Sequence, residues 1–133
     1  HAGAARAALP TAEAKEAAWA QILDLSTPFA TMRALMGGFH QAGQESLLEP
    51  YAERFFEQIG PMFDARSLEV AIGFTNGMYP RMLVREDIVA MTDDYIGTMN
   101  PPGPARRLLL EGKDAIERSL RARARDIAAG EGR

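Results

Sequence analysis

The sequence predicts an all-α fold, because apolar residues recur at three- and four-residue steps along most of its 133 residues. No segment alternates apolar and polar residues with the period of two that a half-buried strand shows. Breaks that contain proline or glycine separate the helical segments, and residues 100–104 (Asn-Pro-Pro-Gly-Pro) are the strongest of them. We therefore expect about six or seven helices in antiparallel hairpins, arranged as a curved, irregular HEAT-like array.

The first helical segments are short and are separated by proline. Residues 3–9 have the composition of a helix end that Pro10 closes. Thr11 is a good N-cap for the next helix, which is expected to run to Leu23 with acidic residues in its first turns. The side chains expected to face inward from this helix are Ala18, Trp19, Ile22 and Leu23.

The next helix is expected to begin with a capping residue followed by proline. Thr27 is predicted to be the N-cap and Pro28 the first helical residue, a position where proline costs no hydrogen bond. The apolar residues that mark this helix are Phe29, Met32, Met36 and Phe39. Gly37 and Gly38 are expected to loosen it near its end.

Residues 37–66 contain the segment around which the rest of the chain is expected to pack. After a polar connection, one continuous apolar stripe is formed by Leu48, Tyr51, Ala52, Phe55, Phe56, Ile59, Met62 and Phe63. The opposite face consists of Glu49, Glu53, Arg54, Glu57 and Gln58. Pro50 fits the first turn of this helix, and Pro61 is expected to kink it without ending it, because the stripe continues beyond it.

Three helices are expected after the central one. Ser67 is the predicted N-cap of the first, whose inward residues are Leu68, Ala71, Ile72, Thr75, Met78 and Tyr79. The second covers residues 86–98, with Ile88, Met91, Thr92 and Tyr95 inward. The third covers residues 105–128 and is expected to bury Leu108, Leu109, Gly112, Ile116, Leu120 and Ile127.

Composition and length fit one globular domain. Hydrophobic residues make up 47% and charged residues 25% of the chain, which is ordinary globular composition and argues against disorder. We expect residues 1–133 to form a single helical domain, since this is the usual size of one. Because the sequence begins with histidine instead of methionine, we also expect it to be a fragment of a larger chain.

Charge, cysteine content and hydropathy exclude several classes of function. The net charge of −3 argues against an overall basic nucleic-acid-binding protein. The absence of cysteine excludes disulfides and thiolate metal sites. No apolar run approaches the ~20 residues of a membrane span, and the alanine-rich start lacks the apolar block of a signal peptide. We expect a cytoplasmic protein with no nucleic-acid or membrane partner.

No residues form a convincing catalytic or metal-binding pattern. His40 is the only interior histidine, and Glu45 and Glu49 follow it without the paired-histidine spacing that zinc needs. The acidic pairs at 86–87 and 93–94 are seven residues apart, about 10 Å along a helix, so they cannot share one ion. We therefore assign no catalytic, cofactor-binding or metal-binding residue to this chain.

The last predicted helix carries a concentration of arginines, namely Arg106, Arg107, Arg118, Arg121, Arg123 and Arg125. Acidic residues interleave with them and no aromatic residue lies nearby to stack on a base, which disfavours nucleic-acid binding. Cations near a helix C-terminus explain much of the pattern. A packing face for an acidic partner domain, or a carboxylate clamp, stays open as a second use.

The segment GGFHQAGQESLLEPYAERFFEQIGPMF, starting at Gly37, resembles the C-terminal helical domain of bacterial aminopeptidase N enzymes. These enzymes are zinc metallopeptidases, and the domain is shared with the aminopeptidases of the endoplasmic reticulum. The resemblance extends upstream over residues 7–19 and downstream over Gly-Met-Tyr-Pro at 77–80 and residues 106–112. One departure is His40, where the family is expected to carry an aromatic residue.

The resemblance implies a non-catalytic role. The family's zinc motif H-E-x-x-H and its exopeptidase motif G-x-M-E-N are both missing, and Gly-Thr-Met-Asn at 97–100 lacks the glutamate of the latter. Zinc is therefore expected in the catalytic domain of the parent protein, with no cofactor in this chain. The implied partners are that catalytic domain and, indirectly, the peptide substrate, whose chamber the terminal domain walls.

Two classes of function remain open at this point. The first is the C-terminal domain of a zinc aminopeptidase, and the second is an independent helical-repeat interaction module with the same architecture. The chain has no catalytic or zinc motif of its own, so whether it is part of an enzyme depends on the rest of the parent protein. A zinc-binding helix motif in the reading frame upstream of His1 would discriminate between the two.

Overall fold

The computed structural model describes residues 2–132, and within them it contains eight α-helices and no β-strand. The helices are α1 Ala2–Ala7, α2 Ala12–Leu23, α3 Phe29–Phe39, α4 Glu45–Leu48, α5 Tyr51–Ala65, α6 Leu68–Met78, α7 Glu86–Met99 and α8 Gly103–Glu131. The predicted all-α class is confirmed. The short α4 raises the number of helices above the six or seven expected.

Three pairs of helices pack side by side, and the second helix of each pair contacts the second helix of the next pair. These pairs are α2 with α3, α5 with α6 and α7 with α8. In addition, α6 contacts both α3 and α8, and α5 contacts α7, while α1 packs on α2 and α3. This arrangement places α3, α6 and α8 in series. The curved, HEAT-like form of the array stays a prediction.

The apolar stripe around α5 forms the centre of the core, as predicted. Phe55 and Ile59 are fully buried, and Phe56 is 8% exposed. The ring of Phe55 stacks on Phe74 of α6 at a centroid distance of 5.7 Å and meets the edge of Tyr79 at 5.8 Å. The acidic residues of the opposite face are exposed. The stripe is therefore an internal surface of this domain.

The start of the central segment differs from the expectation. Leu48 belongs to the separate helix α4, and Pro50 is the N-cap of α5 instead of a first-turn residue. Leu48 is nevertheless buried in the same core. Pro61 lies inside α5, which continues to Ala65, so the predicted continuation of the helix past this proline is confirmed.

Two of the three predicted N-caps are confirmed by hydrogen bonds. The Thr11 hydroxyl accepts from the backbone N–H of Ala14 at 3.1 Å, and the Ser67 hydroxyl accepts from that of Val70 at 3.3 Å. Each satisfies a backbone donor that the first helical turn would leave unpaired. Side-chain chemistry at these positions thus fixes where α2 and α6 begin.

The predicted cap at Thr27 is wrong. The N-cap of α3 is Pro28, and its ring offers no side-chain hydrogen bond. The Thr27 hydroxyl instead donates to the backbone carbonyl of Gln21 at 2.7 Å. Its hydrogen bond therefore satisfies an acceptor in the last turn of α2, before the chain turns into α3.

Gly37 and Gly38 do not loosen α3, which remains helical to Phe39. The reason is a close approach of α1. A Cβ atom on Gly38 would lie 2.1 Å from the carbonyl oxygen of Ala4, far inside van der Waals contact. Gly38 therefore permits the packing of α1 on α3, and that packing holds the helix together despite the low intrinsic propensity of glycine.

Two residues expected in the core are exposed. Leu68 is 59% exposed because it is the first residue of α6, and the buried face of that helix contains Val70 and Phe74. Ile127 is 62% exposed because it lies in the last part of α8, where residues 123–132 are all exposed. The last buried residue of α8 is Ile116. The end of α8 thus extends beyond the core.

Candidate functional surfaces

Lys15 is a fully buried cation that the sequence-based interpretation missed. Its ammonium group donates to the carbonyl oxygens of Ala7 at 2.7 Å and Phe39 at 2.8 Å, which are the last residues of α1 and α3. Burial lowers the pKa of Lys15. The sequence does contain a signal of this burial. Lys15 lies three residues before Ala18 and four before Trp19, so it falls on the buried face of α2. Its role is to join the ends of two helices.

His40 lies directly after α3 in a largely buried position. Both of its ring nitrogens are buried, and neither makes a hydrogen bond of good geometry among residues 2–132, although the nearby backbone of Gly77 acts to raise its pKa. Burial, together with the positive charges of Arg81 and Lys15, lowers the pKa of His40 to about 4. The imidazole is therefore neutral at pH 7. Its edge-on contact with the ring of Phe39, at a centroid distance of 5.3 Å, is that of a packed aromatic side chain.

The acidic residues near His40 do not form a metal site with it. The Glu45 carboxylate accepts from the backbone N–H of Gly43 at 3.2 Å, and Glu49 forms an ion pair with Arg85. Across the described residues, no group of three or more histidines, aspartates and glutamates is arranged to hold a metal ion. The donor set of residues 2–132 therefore does not fit zinc.

The two acidic pairs of α7 have separate partners. Asp87 is bound by Arg85, which lowers the pKa of its carboxyl group. Asp93 accepts from the ammonium group of Lys113 on α8 at 2.8 Å. Glu86 lies beside Asp87 in the first turn of α7, where the helix dipole favours negative charge. Their positions match a helix start and an interhelical ion pair.

The six arginines of α8 are exposed and do not converge on one site. The groove between α7 and α8, about 390 Å³ in volume, has only Arg121 among them in its walls, together with Glu86, Asp93 and Glu117. Arg123 donates to the backbone carbonyl of Val84 at 3.3 Å. None of the six forms an ion pair within 4.0 Å inside the part of the chain that the structure describes. Their side chains face solvent along α8, interleaved with acidic residues.

A shallow groove of about 540 Å³ runs along α1, α2 and α3. Small side chains such as Ala14 and Ala17 line it, and the half-exposed Leu9 lies at the turn between α1 and α2. Arg6 and Glu13 are charged residues in its walls. An apolar groove with a sparse charged rim is suited to contact with another protein surface.

A third cleft, of about 390 Å³, lies between α3 and α6. Arg33 and Arg81 line it, together with three glycines and His40. The sequence-based interpretation assigned no role to either arginine. No local pattern marks them, because they lie 48 positions apart (81 minus 33) and only the packing of α3 on α6 brings both to one cleft.

Comparison with known protein families shows to which family this helical chain belongs. The model of the family described as "ERAP1-like C-terminal domain" matches residues 1–118. The chain belongs to this family. The resemblance seen in the residues around Gly37 is thereby confirmed, and it covers most of the chain.

A curated relative gives the same result over nearly the full length of this ERAP1-like domain. The aminopeptidase N of Streptomyces lividans is 40% identical over 132 residues, which is 98% of this chain and 15% of that enzyme. The chain thus spans a small part of the length of the relative. Among the described residues, no helix is both long and apolar enough to cross a membrane.

Proposed function

We propose that this chain is the non-catalytic C-terminal domain of a zinc-dependent aminopeptidase. The observation that carries the proposal is the family match over residues 1–118, together with the 40% identity to an aminopeptidase N. The zinc ion is proposed to be held by the catalytic domain of that parent. The cytoplasmic location expected for that parent stays a prediction.

We further propose that the domain packs on the catalytic domain of the same parent chain and walls the chamber that holds the peptide substrate. This role needs surfaces that the domain does not use for its own core. Phe55 and Ile59 are fully buried within the chain, so the central stripe is unavailable for such contact. The α1–α3 groove and the exposed arginines of α8 are available, and they support the proposal.

The test compares the full-length parent with a version that ends before residue 1. A small chromogenic aminoacyl substrate and a longer peptide should be assayed on both. If the domain walls the chamber, truncation changes the ratio of kcat/KM for the two substrates, and the isolated chain added in trans restores it. A chain carrying Phe55→Ala, expected to be largely unfolded, is the control that should fail to restore it.

Two results would contradict the proposal. One is a truncated enzyme with the parental substrate ratio and no affinity for the added chain, which would favour an independent interaction module. The other is release of an amino-terminal residue by the isolated chain alone.

A further inference from the structure

The cleft between α3 and α6 has walls with matching four-residue spacing. On α3 they are Phe29, Arg33 and Gly37, and on the other side they are Gly73 and Gly77 of α6 and Arg81 in the connection after α6. Residues four apart lie on one face of a helix, so Phe29, Arg33 and Gly37 form one strip along α3, and Gly73 and Gly77 lie on one face of α6. Arg81 follows the end of α6 at Met78. Glycines thus form much of the walls, and an arginine lies on each side.

The three glycines of the cleft differ in what surrounds them. A Cβ atom at Gly73 would lie 2.5 Å from the ring of Phe29, and one at Gly77 would lie 2.8 Å from the sulfur of Met36. At both positions the added atom would meet a side chain of α3, so these glycines leave room for Phe29 and Met36 between the two helices. At Gly37 an added Cβ would meet nothing within 4 Å, so the cleft has free space beside this residue.

Each arginine contacts another residue of the cleft, and neither has a counter-ion among the described residues. The Arg33 guanidinium carbon is 5.8 Å from the centroid of the Phe29 ring, and Arg81 donates to the backbone carbonyl of Asn76. Among residues 2–132 neither lies within 4.0 Å of a carboxylate, and no acidic residue lines the cleft. A guanidinium has five N–H donors, so most of those of Arg81 remain available.

We propose that the α3–α6 cleft is a binding site for a small carboxylate-bearing ligand, with Arg33 and Arg81 as its charged contacts. Guanidinium groups bind carboxylates through parallel, charge-assisted hydrogen bonds. The volume of about 390 Å³ lies in the range of small-molecule sites. This site is independent of the proposed role in the aminopeptidase, since it needs only residues of this chain.

His40 provides a spectroscopic reporter for the site. It lines the same cleft, and the charge of Arg81 is one of the causes that lower its pKa, the others being burial and the charge of Lys15. An anion beside Arg81 would offset that positive charge and raise the pKa of His40. A neutral ligand of the same shape would leave it unchanged.

The experiment is an NMR titration of the chain with propionate and, separately, with its neutral isostere propionamide. Propionate should shift the amide signals of Gly37, Gly73 and Gly77 saturably and raise the pKa of His40, while propionamide should do neither. Arg33→Gln and Arg81→Gln should each weaken propionate binding about tenfold or more, the loss expected for a charged hydrogen bond. Arg106→Gln, a change of an exposed arginine on α8, should leave it unchanged.

A steric variant separates the cleft from general surface charge. Gly37→Leu puts a larger side chain beside the cleft at a position where an added Cβ meets no other atom, so the helix content should be retained and binding lost. The site is refuted if Gly37→Leu binds propionate like the parent, if propionamide gives the same shifts, or if the propionate shifts do not saturate. Inorganic phosphate that binds saturably where propionate does not would refute the carboxylate assignment. If an arginine variant does not fold, Gly37→Leu and propionamide still decide.

Discussion

Replacing His40 with phenylalanine should remove a large part of the loss of stability in mild acid. Burial and two nearby cations lower the pKa of His40 from 6.5 to about 4, so between these values the unfolded chain binds a proton that the folded chain does not. Stability that depends on neutral His40 is therefore complete above pH 6.5 and falls as the pH drops towards 4. Phenylalanine has no such proton to bind.

The size of the effect follows from the two pKa values. A pKa difference from 6.5 to about 4 corresponds to a full effect of roughly 3 kcal/mol. Most of this effect falls between pH 7.5 and pH 4.5. Over that range the free energy of unfolding should fall by about 2.5 kcal/mol more in the parent than in His40→Phe. Phenylalanine keeps the aromatic contact with Phe39 and removes two buried nitrogens that have no partner among the described residues.

The assay is urea denaturation of both proteins at the two pH values, in a carboxylate-free buffer of constant ionic strength. Carboxyl groups such as Asp87, whose pKa is lowered by an ion pair, also lose stability in acid, but they do so equally in both proteins. The difference between the two pH profiles therefore isolates His40. Identical profiles for parent and variant would refute the reasoning, because they would mean that the imidazole takes up its proton as easily in the folded state as in the unfolded state.

Three further predictions concern the stability of the fold, and urea denaturation at pH 7.5 checks each. Phe55→Ala should cost about 3–5 kcal/mol, whereas Glu53→Ala on the opposite face should stay within about ±0.5 kcal/mol; equal melts would place the stripe outside the core. Lys15→Ala should lower the free energy of unfolding by at least about 3 kcal/mol, because two buried carbonyls lose a charged donor. A variant that unfolds at the same urea concentration as the parent would contradict this. Gly38→Ala should destabilise by about 1–3 kcal/mol through its clash with Ala4, while the adjacent Gly37→Ala, which meets open space, should stabilise by about 0.5–1 kcal/mol; the reverse order would refute the close approach of α1.

The features that could be predicted from the sequence are those that depend on neighbouring residues. The caps at Thr11 and Ser67 bond to amides three residues on, and the central stripe is a period within one helix. The failures depend on where a helix lies relative to others. Leu68 has the right spacing for the buried face of α6 but sits at its first residue, and Ile127 continues the apolar pattern of α8 beyond the core. Period alone does not tell where a neighbouring helix ends.

Lys15 and the α3–α6 cleft show a second reason why local sequence patterns do not predict every polar site. Lys15 occupies a core position of α2, and only the ends of α1 and α3 make a charge acceptable there, by offering two carbonyl oxygens that no helical amide can reach. Arg33 and Arg81 acquire a common site through the packing of α3 on α6. In both cases the chemistry is created by helix ends and helix faces that are distant in sequence. A helical domain without a catalytic motif can therefore still hold specific polar sites, and these sites are found only once its packing is known.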